Sequence, residues 1–158
     1  MKILGIDPGL SGCLATYDGT KTRLYPIVSI KQKRGRAIEW DKLCETIRPA
    51  MVSMTAYLEQ VSTRPGEGRV SAFKFGYVSG GLRGILAYAR VPTVMVTPQK
   101  WKKHFGLSAD KRQAVELACE KFPDVKEKFY GPRGGLRDGL AEAALIALYG
   151  YEMEIENV

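Results

Sequence analysis

Three short apolar runs separated by tight turns, all ahead of the first helical pattern, constrain this chain most. Residues 2–7 (KILGID) form an apolar run that stops on Asp7-Pro8-Gly9, which is turn chemistry. Residues 12–17 (GCLATY) form a second run, and Asp18-Gly19-Thr20 is a hairpin signal leading into a third at 22–30 (TRLYPIVSI). An antiparallel meander is expected, with Pro26 placing the third strand near an edge, because proline cannot donate to a ladder.

Helical and strand-like segments then alternate. Trp40, Leu43, Ile47 and Met51 have helical spacing within 37–51, with Pro49 near the end. Residues 56–61 (AYLEQV) are strand-like, and 63–69 (TRPGEGR) form a Gly/Pro/Arg loop. A long helix over 71–90 carries Gly76, Gly80 and Gly84 four apart, a smooth stripe that lets another backbone approach closely. A strand follows at 92–96, then helices capped by Thr97-Pro98 and by Ser108, the second running to Phe122 and stopped by Pro123. The loop 131–135 leads into an apolar helix over 138–149. This order specifies an α/β fold in one domain over 1–158: a mixed five-stranded sheet, with a three-strand antiparallel meander and two parallel strands, and helices on both faces.

Composition narrows the chemistry. The 158 residues include one His and three Cys, and Cys13, Cys44 and Cys119 lie far apart with no Cys-x-x-Cys spacing, which speaks against a disulfide framework or a zinc site. His104, the single histidine, sits in a lysine-rich stretch and is read as surface or packing. No apolar run approaches the roughly 18 residues of a membrane span, and the N-terminus lacks signal-peptide architecture, so no membrane partner and a cytoplasmic location are expected. A net charge of +7 favours an anionic partner.

Against that positive background four acids stand among apolar neighbours. Asp7 and Glu59 end strands, and Asp138 and Glu142 lie four apart on one helix face. Singly, each has an ordinary reading as a turn residue, strand cap or helix-terminal charge. Together, and without histidine or thiolate, they suit Mg²⁺ or Mn²⁺, hard ions that prefer oxygen. Two such ions about 3.5–4 Å apart can activate water and stabilise the leaving 3′-oxygen in phosphodiester hydrolysis.

Four words of the sequence carry a resemblance: Ile3-Leu4-Gly5-Ile6-Asp7-Pro8-Gly9, Tyr57-Leu58-Glu59-Gln60-Val61, Ser71-Ala72-Phe73-Lys74-Phe75-Gly76, and Asp138-Gly139-Leu140-Ala141-Glu142-Ala143-Ala144-Leu145. In this order, over nearly the whole chain, they resemble the RuvC-type Holliday-junction resolvases of the RNase H-like superfamily. The resemblance implies a homodimer that binds four-way or other branched DNA and nicks two symmetric strands, with no nucleotide cofactor. Asp7, Glu59, Asp138 and Glu142 would be the catalytic acids and would hold two Mg²⁺ per site, with Mn²⁺ able to substitute. The glycine-striped helix is expected at the dimer interface, since a two-fold junction needs two sites related by a two-fold axis. Bacterial members usually end on Asp-x-x-Asp; Asp138-x-x-x-Glu142 looks more like phage and plant chloroplast members, the former implying a bacterial host cytoplasm. Bacterial members also place an aromatic three residues after the strand Glu, where this chain has Ser62 and an inserted loop, so Arg64, Arg69 or Phe73 are candidates for that place.

The basic residues divide into two clusters. Between Lys21 and Arg36 lie six basic residues and no acid (Lys21, Arg23, Lys31, Lys33, Arg34, Arg36), and between Thr97 and Arg137 ten against five acids. Such clustering suits phosphate tracking, with a solvated basic face as the bland reading. The side chains expected to contact DNA are Arg64, Arg69, Lys74, Lys100, Lys103, Lys111, Arg112 and Arg137. Lys111 and Arg112 stand out because a helix's first turn attracts phosphate. Trp101 is expected to pack against the sheet rather than stack on a base.

Other readings compete. An RNase H-like nuclease acting on an RNA–DNA hybrid or other branched nucleic acid keeps the fold. An actin-like nucleotide binder needs a much longer chain, and a non-catalytic junction binder has no use for the acid set.

Overall fold

Alternation along the first strand decides the layering. In β1 (Ile3–Asp7), Ile3 and Gly5 face one side of the sheet and Leu4 and Ile6 the other, so both faces must be covered. The computed structural model describes residues 1–33, 35–48, 53–60, 62, 66 and 68–156. β1 pairs antiparallel with β2 (Cys13–Tyr17), which pairs antiparallel with β3 (Thr22–Pro26).

The chain then makes a separate two-stranded ribbon, β4 (Ser29–Gln32) and β5 (Gly35–Ile38), before α1 (Trp40–Ile47). β6 (Thr55–Glu59) lies parallel to β1, and β7 (Thr93–Val96) lies parallel to β6, with α2 (Arg69–Tyr88) between them. The sheet order β3-β2-β1-β6-β7 is the mixed five-stranded arrangement expected, with β3 at an edge as Pro26 requires. After β7 come α3 (Pro98–His104), α4 (Lys111–Lys121), a short 3-10 turn (Lys126–Phe129) and α5 (Asp138–Glu156).

Two cores result, one on each face. Leu4, Ile6, Leu14 and Leu58 pack against Leu43 and Ile47 of α1 and Val78, Leu82 and Leu86 of α2. Ile3, Cys13, Ala15 and Tyr57 pack against Trp101, Val115, Ala118 and the alanine-rich surface of α5. α5 is buried from Gly139 to Gly150, and a side chain at Gly5 would run into the backbone of Ala143 and Ala147. That glycine lets the strand and helix backbones touch, which fixes the depth at which α5 sits.

Several boundaries differ from expectation. The run 22–30 is not one strand: β3 ends at Pro26, and Ile27 N–H donates instead to the Gly12 carbonyl at 3.0 Å. The expected helix start at 37 lies within β5, and Trp40 opens the helix; Pro49 and Met51 lie outside the described residues. α4 is capped by Asp110, whose Oδ1 accepts from Arg112 N–H at 2.9 Å. Ser108 accepts from Asp110 N–H at 3.1 Å, so two good capping residues stand two apart and the later one is used. α5 runs seven residues beyond Tyr149, to Glu156. There Tyr57 Oη donates to Glu154 Oε1 at 3.0 Å and His104 Nε2 lies 2.6 Å from Glu152 Oε2, which ties the extension to β6 and α3.

Candidate functional site

Parallel pairing sets the first two acids side by side. β1 and β6 run the same way with Ile6 opposite Leu58, so Asp7 and Glu59, the next residues of each, emerge at the same end of the sheet. α5 begins at that end. A Cβ built on Gly139 would lie 2.8 Å from Asp7 Oδ2 and 3.0 Å from the Gly12 Cα, so the first turn of α5 rests directly on the Asp7 turn. Asp138 opens α5 and Glu142 follows one turn later on the same face.

The electrostatics of Asp7 follow from this shared neighbourhood. The Asp7 carboxyl is held well above its ordinary range, first by burial, then by the negative charges of Glu59, Glu142 and Asp138, with Lys111 acting in the opposite sense. Glu59 and Glu142 are each only 9% exposed, unusual for charged side chains in the absence of partners.

Each has a partner. Trp101, wholly buried as expected, donates its indole N–H to Glu59 Oε1 at 2.8 Å. Lys102 Nζ donates to Glu142 Oε1 at 2.8 Å, and Lys111 Nζ donates to Asp138 Oδ2. The Asp138 bond raises the Lys111 ammonium pKa, against the opposing effect of burial, and the charges of Glu142 and Asp7 add to the rise.

The donor set fits a hard divalent cation: four carboxylates, two of them buried, and a cluster whose mutual repulsion a cation relieves. The ammonium groups of Lys102 and Lys111 supply positive charge to two of these carboxylates. With the acids turned to these partners, no three His, Cys, Asp or Glu side chains among the described residues are gathered closely enough to ligate one ion. Were Asp138 and Glu142 to hold an ion, they would exchange these lysine contacts for it.

Of the basic residues singled out in the sequence, Arg69, Lys74, Lys100, Lys103, Lys111, Arg112 and Arg137 are all exposed, and Arg64 lies outside the described residues. Arg69 opens α2 and Arg137 directly precedes α5. Lys100 and Lys103 lie on α3, which starts just beyond the end of β7. Helices that follow parallel strands begin at the strands' C-terminal ends, so Arg69 and Lys100 lie toward the end of the sheet that carries the acids, and Arg137 lies beside Asp138. Lys111 instead reaches the acids themselves. Phe73, a candidate for the place of the bacterial aromatic, is 75% exposed, and Phe75 is 43% exposed. Sequence reasoning missed Trp101 and Lys102 as partners of the acids; the only available signal was their position directly after a Thr-Pro helix start at a strand's end.

No protein-family model matches the sequence, and no curated protein matches it. Solved structures do. The chain superposes on Thermus thermophilus RuvC with a TM-score of 0.57 and 19% identity, covering 98% of this chain and 97% of that one. It superposes equally, with a TM-score of 0.57 and 14% identity, on T. thermophilus RuvC in complex with a Holliday-junction substrate, covering 98% and 96%. The fold is RuvC-like over essentially the whole chain.

Proposed function

We propose that this protein is a structure-selective endonuclease that binds four-way DNA junctions and nicks two symmetric strands, a crossover-junction resolvase. The observation that carries the reading is the convergence of Asp7, Glu59, Asp138 and Glu142, from three separate segments, at one end of a RuvC-like sheet, where the charges of the other three add to burial in raising the pKa of Asp7. Those four residues would hold Mg²⁺, or Mn²⁺ in its place, as two ions per site. Bound there, the ions supply activation of water and stabilisation of the leaving 3′-oxygen.

The chain's own groups do the rest. Trp101 fixes one oxygen of Glu59 and so sets that side chain's rotamer from within the core. Lys102 and Lys111 neutralise Glu142 and Asp138, and were those carboxylates to hold metal their ammonium groups would be free to pair with a substrate phosphate. Arg69, Lys74, Lys100, Lys103, Arg112 and Arg137 hold the backbone as counter-charges, and Arg64 belongs with them on sequence grounds. The Asp138-x-x-x-Glu142 spacing keeps the resemblance to phage and chloroplast members, and with the first of these a bacterial host cytoplasm as the place of action. Among the described residues no helix is long and apolar enough to cross a membrane.

Pairing of the nicks calls for a second copy of the chain, and α2 has the surface for it. Gly76, Gly80 and Gly84 face open space, and beside them Trp40, Tyr77, Ile85 and Tyr88 line an apolar groove of about 1080 Å³. Tyr77 and Tyr88, at 53% and 93% exposure, offer aromatic surface that a second copy of α2 would cover. Gly80→Leu adds a side chain where the monomer has room, and leucine favours helix over glycine. By light scattering the wild type is expected to be a dimer at micromolar concentration and Gly80→Leu a folded monomer; an unaltered dimer in the variant contradicts this interface.

The function itself is tested on a substrate panel with Mg²⁺. Cutting of a mobile four-way junction far faster than linear duplex is expected. Equal cutting of linear duplex contradicts the proposal, and cleavage confined to an RNA–DNA hybrid would transfer the fold to that substrate class.

A further inference from the structure

The basic run between Lys21 and Arg36 splits in space. Arg23 lies opposite Thr16, and Lys21 directly precedes Thr22, which lies opposite Tyr17 as Tyr17 lies opposite Ile3, so both are at the other end of the sheet from the acids. Lys31, Lys33 and Arg36 ride on the β4–β5 ribbon, whose base is pinned beside the Asp7 turn. Ile27 N–H donates to the Gly12 carbonyl at 3.0 Å, Glu39 N–H donates to the Val28 carbonyl at 2.9 Å, and Ile27 and Ile38 are buried under α1 and α2. Beyond that base Lys31, Gln32, Lys33, Gly35 and Arg36 are exposed, and the sequence holds no acid from Gly19 to Ile38.

The ribbon keeps its charges in an arrangement that is unfavourable in water. Lys31 stands directly opposite Arg36, a like-charged cross-strand pair. Among the described residues, Lys31, Lys33 and Arg36 form no ion pair. Arg36 is locked to the ribbon, with Nε donating to Ser29 Oγ and Nη2 to the Ser29 carbonyl, both at 3.0 Å. From the other side Lys74 of α2 brings its ammonium to the tip, 3.7 Å from where a Gly35 Cβ would sit. Four cations thus surround one protruding element anchored next to the candidate active site. A ribbon of four-residue strands is about 13 Å long, roughly four base-pair rises of a duplex. Its cations can meet successive phosphates rather than one small anion.

We infer that the β4–β5 ribbon, with Lys74, is a backbone clamp that grips a duplex arm of the nucleic acid beside the acid cluster. The inference rests on the proposed function and deepens it: the contacts go to phosphates, stabilise the complex without reading sequence, and relieve the Lys31/Arg36 repulsion.

The test is the double substitution Lys31→Gln and Lys33→Gln, which removes two charges at nearly constant length. Junction binding is followed by fluorescence anisotropy without Mg²⁺ from roughly 50 to 200 mM salt, the range over which phosphate contacts dominate affinity. At about 0.9 per lost phosphate contact, the slope of log K against log salt is expected to become shallower by about 1.8, with affinity near physiological salt about tenfold weaker or more. The charge-matched control Lys21→Gln/Arg23→Gln, at the far end of the sheet, is expected to keep the wild-type slope. A ribbon variant with the wild-type slope overturns the inference. So does an equal loss in the control, which would reduce the effect to net charge, or a lowered melting midpoint accompanying lost binding, which would make the lysines structural. Wild-type protein that binds neither junction nor duplex sinks the proposed function itself, an outcome distinct from all of these.

Discussion

Asp7→Asn is expected to abolish junction nicking, by about a thousandfold or more, while junction binding persists. Removing one charged ligand from a metal centre forfeits several kcal/mol of transition-state stabilisation, and about 1.4 kcal/mol is a factor of ten. Binding depends on the basic residues around the site and has no need of Asp7. The same substitution has a second, opposite effect on stability. The folded-state pKa of Asp7 is raised, so between the ordinary carboxylate value and the raised one the folded protein binds more protons than the unfolded chain. Stability of the metal-free protein therefore falls as pH rises through that window, and at neutral pH the ionised Asp7 is a cost. Asparagine removes it, so the metal-free variant is expected to melt above the wild type at neutral pH and to lose that advantage in acid. Strand-nicking assays and thermal melting at two pH values check both halves; undiminished cutting, or a variant less stable than wild type at neutral pH, contradicts them.

Gly5→Ala is expected to damage the fold more than any comparably small change. The new methyl meets the carbonyl of Ala143 and the backbone of Ala147, neither of which can rotate away as a side chain could. Overpacking of this kind costs about 1–3 kcal/mol or more, and for a chain of this size each kcal/mol lowers the melting midpoint by roughly 2–4 °C. Relief would require α5 to slide or tilt off β1, carrying Asp138 and Glu142 away from Asp7, so nicking is expected to fall along with stability. A midpoint within about 2 °C of wild type would show that strand and helix are not in backbone contact.

Much of this architecture is written in apolar runs that end on charged residues. Strands terminating at Asp7 and Glu59, and a helix that as far as Tyr151 is apolar but for Asp138 and Glu142, announce both the sheet and the acid cluster, because burial of such residues needs a compensating reason. The partners of the acids are less legible. Lys102 and Lys111 lie 40 and 27 positions before the carboxylates they meet, in a stretch whose charge alone suggests a solvated face. Only the placement of α3 and α4 on the α5 side of the sheet turns them inward. Trp101 shows the reverse: its burial follows from sequence, its bond to Glu59 does not. The β4–β5 ribbon was hidden because KQKRGRAI lacks the alternation that marks a half-buried strand. Its two strands bury little beyond Ile38 and are held by each other's backbones and by Arg36 on Ser29. The end of α5 was hidden for a similar reason, since Glu152 and Glu154 look like a solvated terminus until His104 and Tyr57 are brought beside them.

The most direct measurement is strand-resolved mapping of nicks on a synthetic mobile four-way junction with Mg²⁺. Nicks at symmetric positions in two opposed strands, leaving ends that a ligase can seal and vanishing in chelator, are the predicted result. Cuts scattered over all four strands, or the same cuts in the chelator control, would contradict the reading of these four acids as the centre of a paired junction nuclease.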